Sequence, residues 1–489
     1  MYVYQTYSDY YKIHILHEEA YNQIRIIFSK YSKKLILRFI SSVLMDLDRT
    51  LNYDETALAY VHTRYLRMGG VINIIHRRAT HLLSQMFYSY NDFSESDSSS
   101  IVRTADTLNL YLYANTILSI AEREDYSSDL KVFFNSYKYS NDYIDNFDLQ
   151  NIFYFYSKFY RKLESSMHFE AFNTAVIEEV NVSLKDFTNS LEAMYMRTGN
   201  FDKSIMKENF EIDFDDTYLY WSNRIPKIPI PFEYKLLMEK PIIKSGDEQF
   251  IVCSQYFITL AIAKKIYFIL RKIDAQKFGN EFGKIVEEVI SEYLGQALSN
   301  ETCKTINLKY DDNKEYGDFG IVMDKLVFLF EIKSGTLSLA EKYEQDLDKF
   351  KVGFDNKFVN KGVIQQLKIL KEINDDYAKF CLVTGLDESV NYRFIPILLF
   401  LDEEFFCNGF NQYLRSRYVE TMIEHQYFFP NIISARVNSS LILNELKSAI
   451  EYHKDPQKIL YSIYFYAAFY NIKDITYKPY EFFVHTFLM

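Results

Sequence analysis

Residues 316–335, YGDFGIVMDKLVFLFEIKSG, decide the reading of the fold. Divided at Asp324-Lys325, the stretch gives two apolar runs, Phe319–Met323 and Leu326–Lys333, either side of a polar pair. Aromatic and β-branched residues flanking a two-residue break predict a β-hairpin. Asp318 opens the first strand, while Glu331 and Lys333 sit two apart near the end of the second. Side chains i and i+2 of a strand share a face, so Glu331 and Lys333 project together and Ile332 turns into a core. Antiparallel pairing about the turn brings Asp318 back to the same end. Two carboxylates and an ammonium are therefore expected to converge at one edge of a sheet.

Such a constellation suits metal-assisted hydrolysis of a phosphodiester. Hard oxygen ligands hold Mg²⁺ while waters and substrate oxygens fill its remaining positions. A lysine beside it orients water or offsets charge in the transition state. Asp318, twelve intervening residues, then Glu331-Ile332-Lys333 resemble the PD-(D/E)XK signature of restriction-endonuclease-like nucleases. Gly317 stands where the signature has its proline. A surface hairpin with a solvated Glu–Lys edge is the alternative for the tripeptide alone.

The flanking segments add to the resemblance. Residues 278–295 form an amphipathic pattern with Phe282, Ile285, Val286, Val289, Ile290 and Tyr293 as its apolar stripe. It is similar to the helix that precedes the hairpin in that family, and Glu287 on its border is the candidate to reach the metal, with Glu281 and Glu288 competing. Residues 303–310 alternate as a first strand, residues 337–350 are helical and charged, and residues 362–372 (GVIQQLKILKE) are helical again. The family often carries a glutamine on this last helix; Gln366 fits best and Gln365 second. Residues 380–384 and 394–401 are continuous apolar runs, as expected for buried strands covered on both faces. The element order helix, strand, hairpin, helix, strand matches the family over residues 275–402. The resemblance implies Asp318, Glu331 and the Ile332 carbonyl as ligands of Mg²⁺ or Mn²⁺. Lys333 would then act on the water, Glu287 would support the metal, and Gln366 would orient substrate or lysine.

The rest of the chain frames this core. Residues 1–225 contain no proline and three glycines, with apolar residues at helical spacing, and predict a large all-α region. Two basic groups within it, His76-Arg77-Arg78 with His81 and Lys33-Lys34 with Arg38, read as solvated helix faces. Pro226, Pro229 and Pro231 mark a seam within 221–232 (WSNRIPKIPIPF). A lead-in follows: a strand or hairpin around Ser245-Gly246-Asp247, then a helix over Gln255–Ile273. The expected divisions are thus 1–225 helical, 226–274 linker and lead-in helix, 275–402 α/β core with a central mixed sheet, and 403–489 a helical tail.

At 489 residues, 48% hydrophobic and 25% charged, the composition is that of a globular chain with ample core. The 43 Tyr and 41 Phe are read first as helix packing, and only secondarily as stacking platforms for bases. A net charge of −11 argues against a protein that coats nucleic acid non-specifically, while leaving room for a local basic groove. Four scattered cysteines without C-x-x-C spacing predict free thiols in a reducing cytoplasm. No apolar run reaches bilayer length, and no secretory leader pattern opens the chain. The expectation is a soluble, cytoplasmic, Mg²⁺- or Mn²⁺-dependent endonuclease or exonuclease acting on nucleic acid, with DNA inferred from the resemblance. Bacterial chains joining such a domain to a large helical region often resemble restriction or anti-phage defence proteins. The helical half then offers a partner, oligomer or sensor surface. The alternative is a non-catalytic scaffold carrying a degenerate nuclease fold.

Overall fold

The computed structural model describes residues 6, 10–11, 15–48, 55–67, 74–88, 90–96, 100–121, 128–139, 149–196, 211–213, 241–244, 250–252, 255–273, 275–311, 314–337, 346–405, 407, 409–435 and 438–468. The proline-rich seam at 221–232, the Ser245-Gly246-Asp247 turn and Gly69-Gly70 lie outside these residues. The chain divides into two compact units, one comprising residues 1–124 and 144–273, the other residues 125–143 and 274–489. Among the described residues, no helix is long and apolar enough to cross a membrane.

The first unit is helical, as the missing prolines imply, with helices such as Lys33–Asp48, Thr104–Ala121 and Leu149–Leu163. The expectation of an all-α region over 1–225 is corrected by a small sheet: β1 (Glu211–Asp213) runs parallel to β2 (Ile242–Lys244), which pairs antiparallel with β3 (Phe250–Val252). The expected basic face on the helix Arg77–Tyr88 is corrected. His76, Arg77 and His81 are buried where this helix packs on Lys33–Asp48 and Thr104–Ala121. His76 Nε2 meets Asn115 Oδ1 at 2.7 Å, and the Arg77 guanidinium donates to the Leu47 carbonyl at 2.6 Å. Hydrogen bonding inside the bundle makes such burial tolerable. Burial pushes the His81 imidazole down to about 3, so it is neutral at physiological pH.

The second unit is built on a mixed sheet. Its strands are β4 (Cys303–Ile306), β7 (Phe319–Met323), β8 (Leu326–Lys333), β9 (Arg393–Phe400), β10 (Ile433–Ser434) and β11 (Ser439–Ile442). A separate two-stranded hairpin joins β5 (Lys309–Asp311) to β6 (Lys314–Glu315). Pairing is antiparallel for β4–β7 and β7–β8, and parallel from β8 to β9 and from β9 to both β10 and β11. Asp324 takes φ +52 in the β7–β8 turn, the positive value that a two-residue hairpin loop demands. The ladder runs from Met323 opposite Leu326 to Phe319 opposite Phe330.

Three expectations need correction here. Residues 380–384 are not a strand but part of a helix, Tyr377–Thr384; Asp376 caps its start by accepting from Lys379 N, and Gly385 at φ +72 ends it. Five apolar residues alone cannot separate strand from helix, and the caps decide. Residues 303–310 are two strands rather than one, because the chain leaves β4 to form the β5–β6 hairpin. Of the charged helix expected over 337–350, residues 338–345 lie outside the described residues, and Leu347 onward is helical with Asp346 as its cap. The tail is not purely helical, since β10 and β11 complete the sheet. Those two short strands flank one proline: β10 covers Arg393 and Phe394, and β11 covers Ile397 to Phe400. Pro396 falls in the gap, where its missing N–H would have faced the neighbouring strand.

The helix Ala275–Leu298 covers one face of this sheet. An added Cβ on its Gly295 would meet Thr305 and Phe319 at 3.7 and 3.8 Å. The opposite face is covered by a π-helix, Asp355–Val363, continuing into Ile364–Asp375. Cys303, Cys381 and Cys407 are buried free thiols. Gly320 of β7 is where the β4–β5 connection presses closest, with Ile306 and Leu308 side chains 2.8 and 3.0 Å from any Cβ placed there. Gly320→Ala should therefore destabilise the chain by about 1–3 kcal/mol, the usual cost of overpacking, as read by chemical denaturation. A neutral result would show that the connection yields freely.

Candidate active site

The hairpin ladder ends one residue short of Asp318, and the carboxylate continues it. Asp318 N–H donates to the Phe330 carbonyl at 3.0 Å. The next β8 amide on that side, Ile332 N–H, donates to Asp318 Oδ2 at 2.5 Å instead of to a backbone carbonyl. A strand amide left without a partner is costly, so this bond both ends the sheet and fixes the carboxylate. Backbone groups of alternate strand residues point the same way. The Phe330 carbonyl faces Asp318 and the Lys333 carbonyl accepts from Leu401 N at 3.0 Å on the other side. The Ile332 carbonyl thus lies on the Asp318 side.

Glu331 and Lys333 share the face opposite Ile332, and Lys333 Nζ donates to Glu331 Oε1 at 2.6 Å. Glu331 is 3% exposed, and its Oε2 has no hydrogen-bond partner among the described residues. Glu287 approaches from the helix Ala275–Leu298. One turn before it, an added Cβ on Gly283 would stand 3.7 Å from Ser334 Oγ just past β8, and one turn after it Ser291 Oγ donates to the Asp318 carbonyl at 3.2 Å. Of the competing glutamates, Glu288 is exposed. Gln366 lies in the first turn of Ile364–Asp375, 4% exposed, with neither amide atom partnered among the described residues; Gln365 is exposed. The structure thus brings Asp318, Ile332, Glu331, Lys333 and Glu287 to one end of the hairpin. Gln366 stands one helical turn from Gly362, which packs on Lys333.

Asp318, Glu331 and Glu287 lie around the Lys333 ammonium, with Glu315 adding negative charge and Lys284 positive charge at the margin, and this end of the sheet is electrostatically unbalanced. Burial first, and the Asp318 charge second, raise the pKa of Glu287 to about 7 against the opposing pull of Lys333. Asp318 and Glu331 are also raised by burial. Repulsion from Asp318 adds to the shift of Glu331, while Lys333 and the Ile332 amide hold the pair down. Among the described residues, no group of three or more His, Cys, Asp or Glu side chains is arranged as a ready metal cluster. Comparison of the chain with models of known families, with curated proteins and with solved structures returns no match.

Gly317 explains the missing proline of the motif. Its φ is +127, and a Cβ there would stand 3.2 Å from the Phe330 carbonyl oxygen. A proline ring locks φ near about −65°. Gly317→Pro, which restores the motif's letter, should therefore cost at least about 2–3 kcal/mol in a thermal melt; unchanged stability would mean the backbone here is not constrained.

The acidic cluster also predicts a pH dependence. Glu287 holds in the fold a proton that the unfolded chain releases above 4.5. Its contribution to stability is complete below that pH and is lost as pH rises through about 7. In EDTA, the melting temperature of Glu287→Gln should fall less between pH 5 and pH 8 than that of the wild type. Parallel curves would place Glu287 away from the other carboxylates.

Proposed function

We propose that this end of the hairpin is the active site of a divalent-metal-dependent phosphodiesterase acting on nucleic acid. One observation carries the reading: Asp318, Glu331 and Glu287 gather around Lys333, each with its pKa raised by burial, and Glu331 Oε2 has no partner among the described residues. Buried like charges are costly unless protons or a cation relieve them. The donor set is all oxygen, which suits Mg²⁺ or Mn²⁺ and no soft metal. Two carboxylates and the Ile332 carbonyl would hold the ion, leaving positions for water and phosphate oxygens, as Mg²⁺ prefers. When bound, the ion supplies Lewis-acid polarisation and an activated water.

The chain's own residues supply the remainder. Lys333 is free to turn its ammonium from Glu331 to a phosphate oxygen or the attacking water, where a fixed charge opposes the charge that builds up. Glu287, on the helix beside these ligands, would support the ion or its bound water. The Gln366 amide, desolvated and unpaired, orients substrate or the lysine. DNA as the substrate follows from the motif's resemblance to restriction-endonuclease-like enzymes and not from these contacts. A scaffold role is the second reading, favoured by the Lys333–Glu331 and Ile332–Asp318 bonds, which partly satisfy the cluster without any ion.

Purified chain should cleave nucleic acid in Mg²⁺ or Mn²⁺ and stop in EDTA. Lys333→Ala should cut the rate by about 10²–10³ in a chain that stays folded by circular dichroism, with a melting temperature lowered by loss of the buried bond to Glu331. Glu331→Ala and Asp318→Asn should abolish activity and also the rise in melting temperature on adding Mn²⁺. Cleavage that survives chelation and all three substitutions would sink the assignment.

A further inference from the structure

Helices with i→i+5 bonding are rare and recur where a turn must be re-aimed at a functional site. Here such a segment runs nine residues, Asp355–Val363, between the α-helices Leu347–Phe354 and Ile364–Asp375. A π turn holds more residues than the 3.6 of an α-helix. Every side chain beyond it is rotated relative to an unbroken α-helix, so the segment sets which residues face the sheet.

Its two ends carry the two features that matter. At the start, the buried Asp355 carboxylate accepts from the Tyr413 hydroxyl at 2.7 Å and from Lys351 Nζ at 2.5 Å, and Arg417 Nε stands 3.4 Å away. Tyr413 and Arg417 belong to the neighbouring helix Phe410–Glu424, which packs along the π segment. At the other end, Gly362 is buried against β8 and β9. A Cβ there would lie 3.2 Å from Leu398 Cδ2 and 3.4 Å from Lys333 Cε. Gln366 follows one turn later. Between the ends, Phe358 packs on Phe354, Phe400 and Phe405. Ring packing of this kind tolerates small rotations, whereas a charge-assisted hydrogen bond is directional and short-ranged.

We infer that Asp355 is a positioning residue for the site: held by Tyr413, it fixes the rotation at which Gly362 lies against the Lys333 stem and Gln366 faces inward. This rests on the hydrolytic reading for its kinetic consequence alone. The packing of Lys333 is testable without it.

The experiment uses the full chain and the variants Asp355→Asn, Tyr413→Phe and Gly362→Ala. Circular dichroism and thermal melting report folding. Acetic anhydride labelling of Lys333, followed by peptide mass spectrometry at one pH, reports its packing. Tyr413→Phe and Asp355→Asn should stay folded and raise the labelling rate of Lys333 several-fold, with distant lysines unchanged. Gly362→Ala should give the same rise with the anchor intact. In steady-state cleavage with Mn²⁺, kcat should fall roughly ten- to hundredfold, as expected for a misplaced reacting group, with KM within about twofold. If Asp355→Asn does not fold, Tyr413→Phe decides. Folded Tyr413→Phe with wild-type labelling of Lys333 overturns the inference. A wild type inactive on every substrate, with labelling changed as described, overturns the hydrolytic reading and leaves the positioning role standing.

Discussion

The bond from Ile332 N–H to the Asp318 carboxylate is the constraint on which the rest of the site depends. A strand that stops leaves its neighbour's amide facing nothing, and some acceptor must be supplied. Here the acceptor is a side chain, so the end of β7 and the position of Asp318 are one structural event. Gly317 makes it possible by turning the chain at φ +127. The turn at Asp324-Lys325 sets the register that delivers Asp318 to this amide. Shifting the ladder by one residue would exchange the sheet faces and put Glu331 and Lys333 where Ile332 now packs.

Burial then gives the cluster its chemistry. The same acids in water would repel one another weakly and titrate near ordinary values. Packed between the sheet, the helix Ala275–Leu298 and the π-helix, they are desolvated, and Coulomb terms between them grow as the effective dielectric falls. Lys333 cannot neutralise three carboxylates. The resulting excess of negative charge, with an oxygen of Glu331 unpartnered among the described residues, is what draws protons to the cluster and raises its pKa values.

Much of this was legible in the chain. The hairpin, its turn and the shared face of Glu331 and Lys333 follow from period-two alternation, which depends only on local geometry. The helices of residues 17–195 and Gln255–Ile273 follow from periodicity and absent breakers. What was not legible depended on tertiary packing. His76, Arg77 and His81 read as solvated because they are basic or polar themselves, yet the helices packed over them bury all three. Residues 380–384 looked like a strand until their caps were seen as such. Residues 362–372 read as a helix opening at Gly362. That glycine lies inside a helix, and its missing Cβ makes room for Lys333. Pro396 did carry a signal, since a proline inside an apolar strand implies incomplete pairing, and the gap between β10 and β11 is that incompleteness.

The late position of β10 and β11 bears on biosynthesis. β9 is buried along nearly its whole length, and among the described residues one of its edges is paired by β10 and β11. A nascent chain that has emerged as far as β9 therefore displays an apolar, unpaired strand edge, the kind of surface that recruits other chains. At about 5–20 residues per second, some seconds of synthesis separate β9 from the strands that cover it. The core of the second unit is thus a late product of translation. A ribosome stalled within that interval would hold an aggregation-prone intermediate that a chaperone has reason to bind.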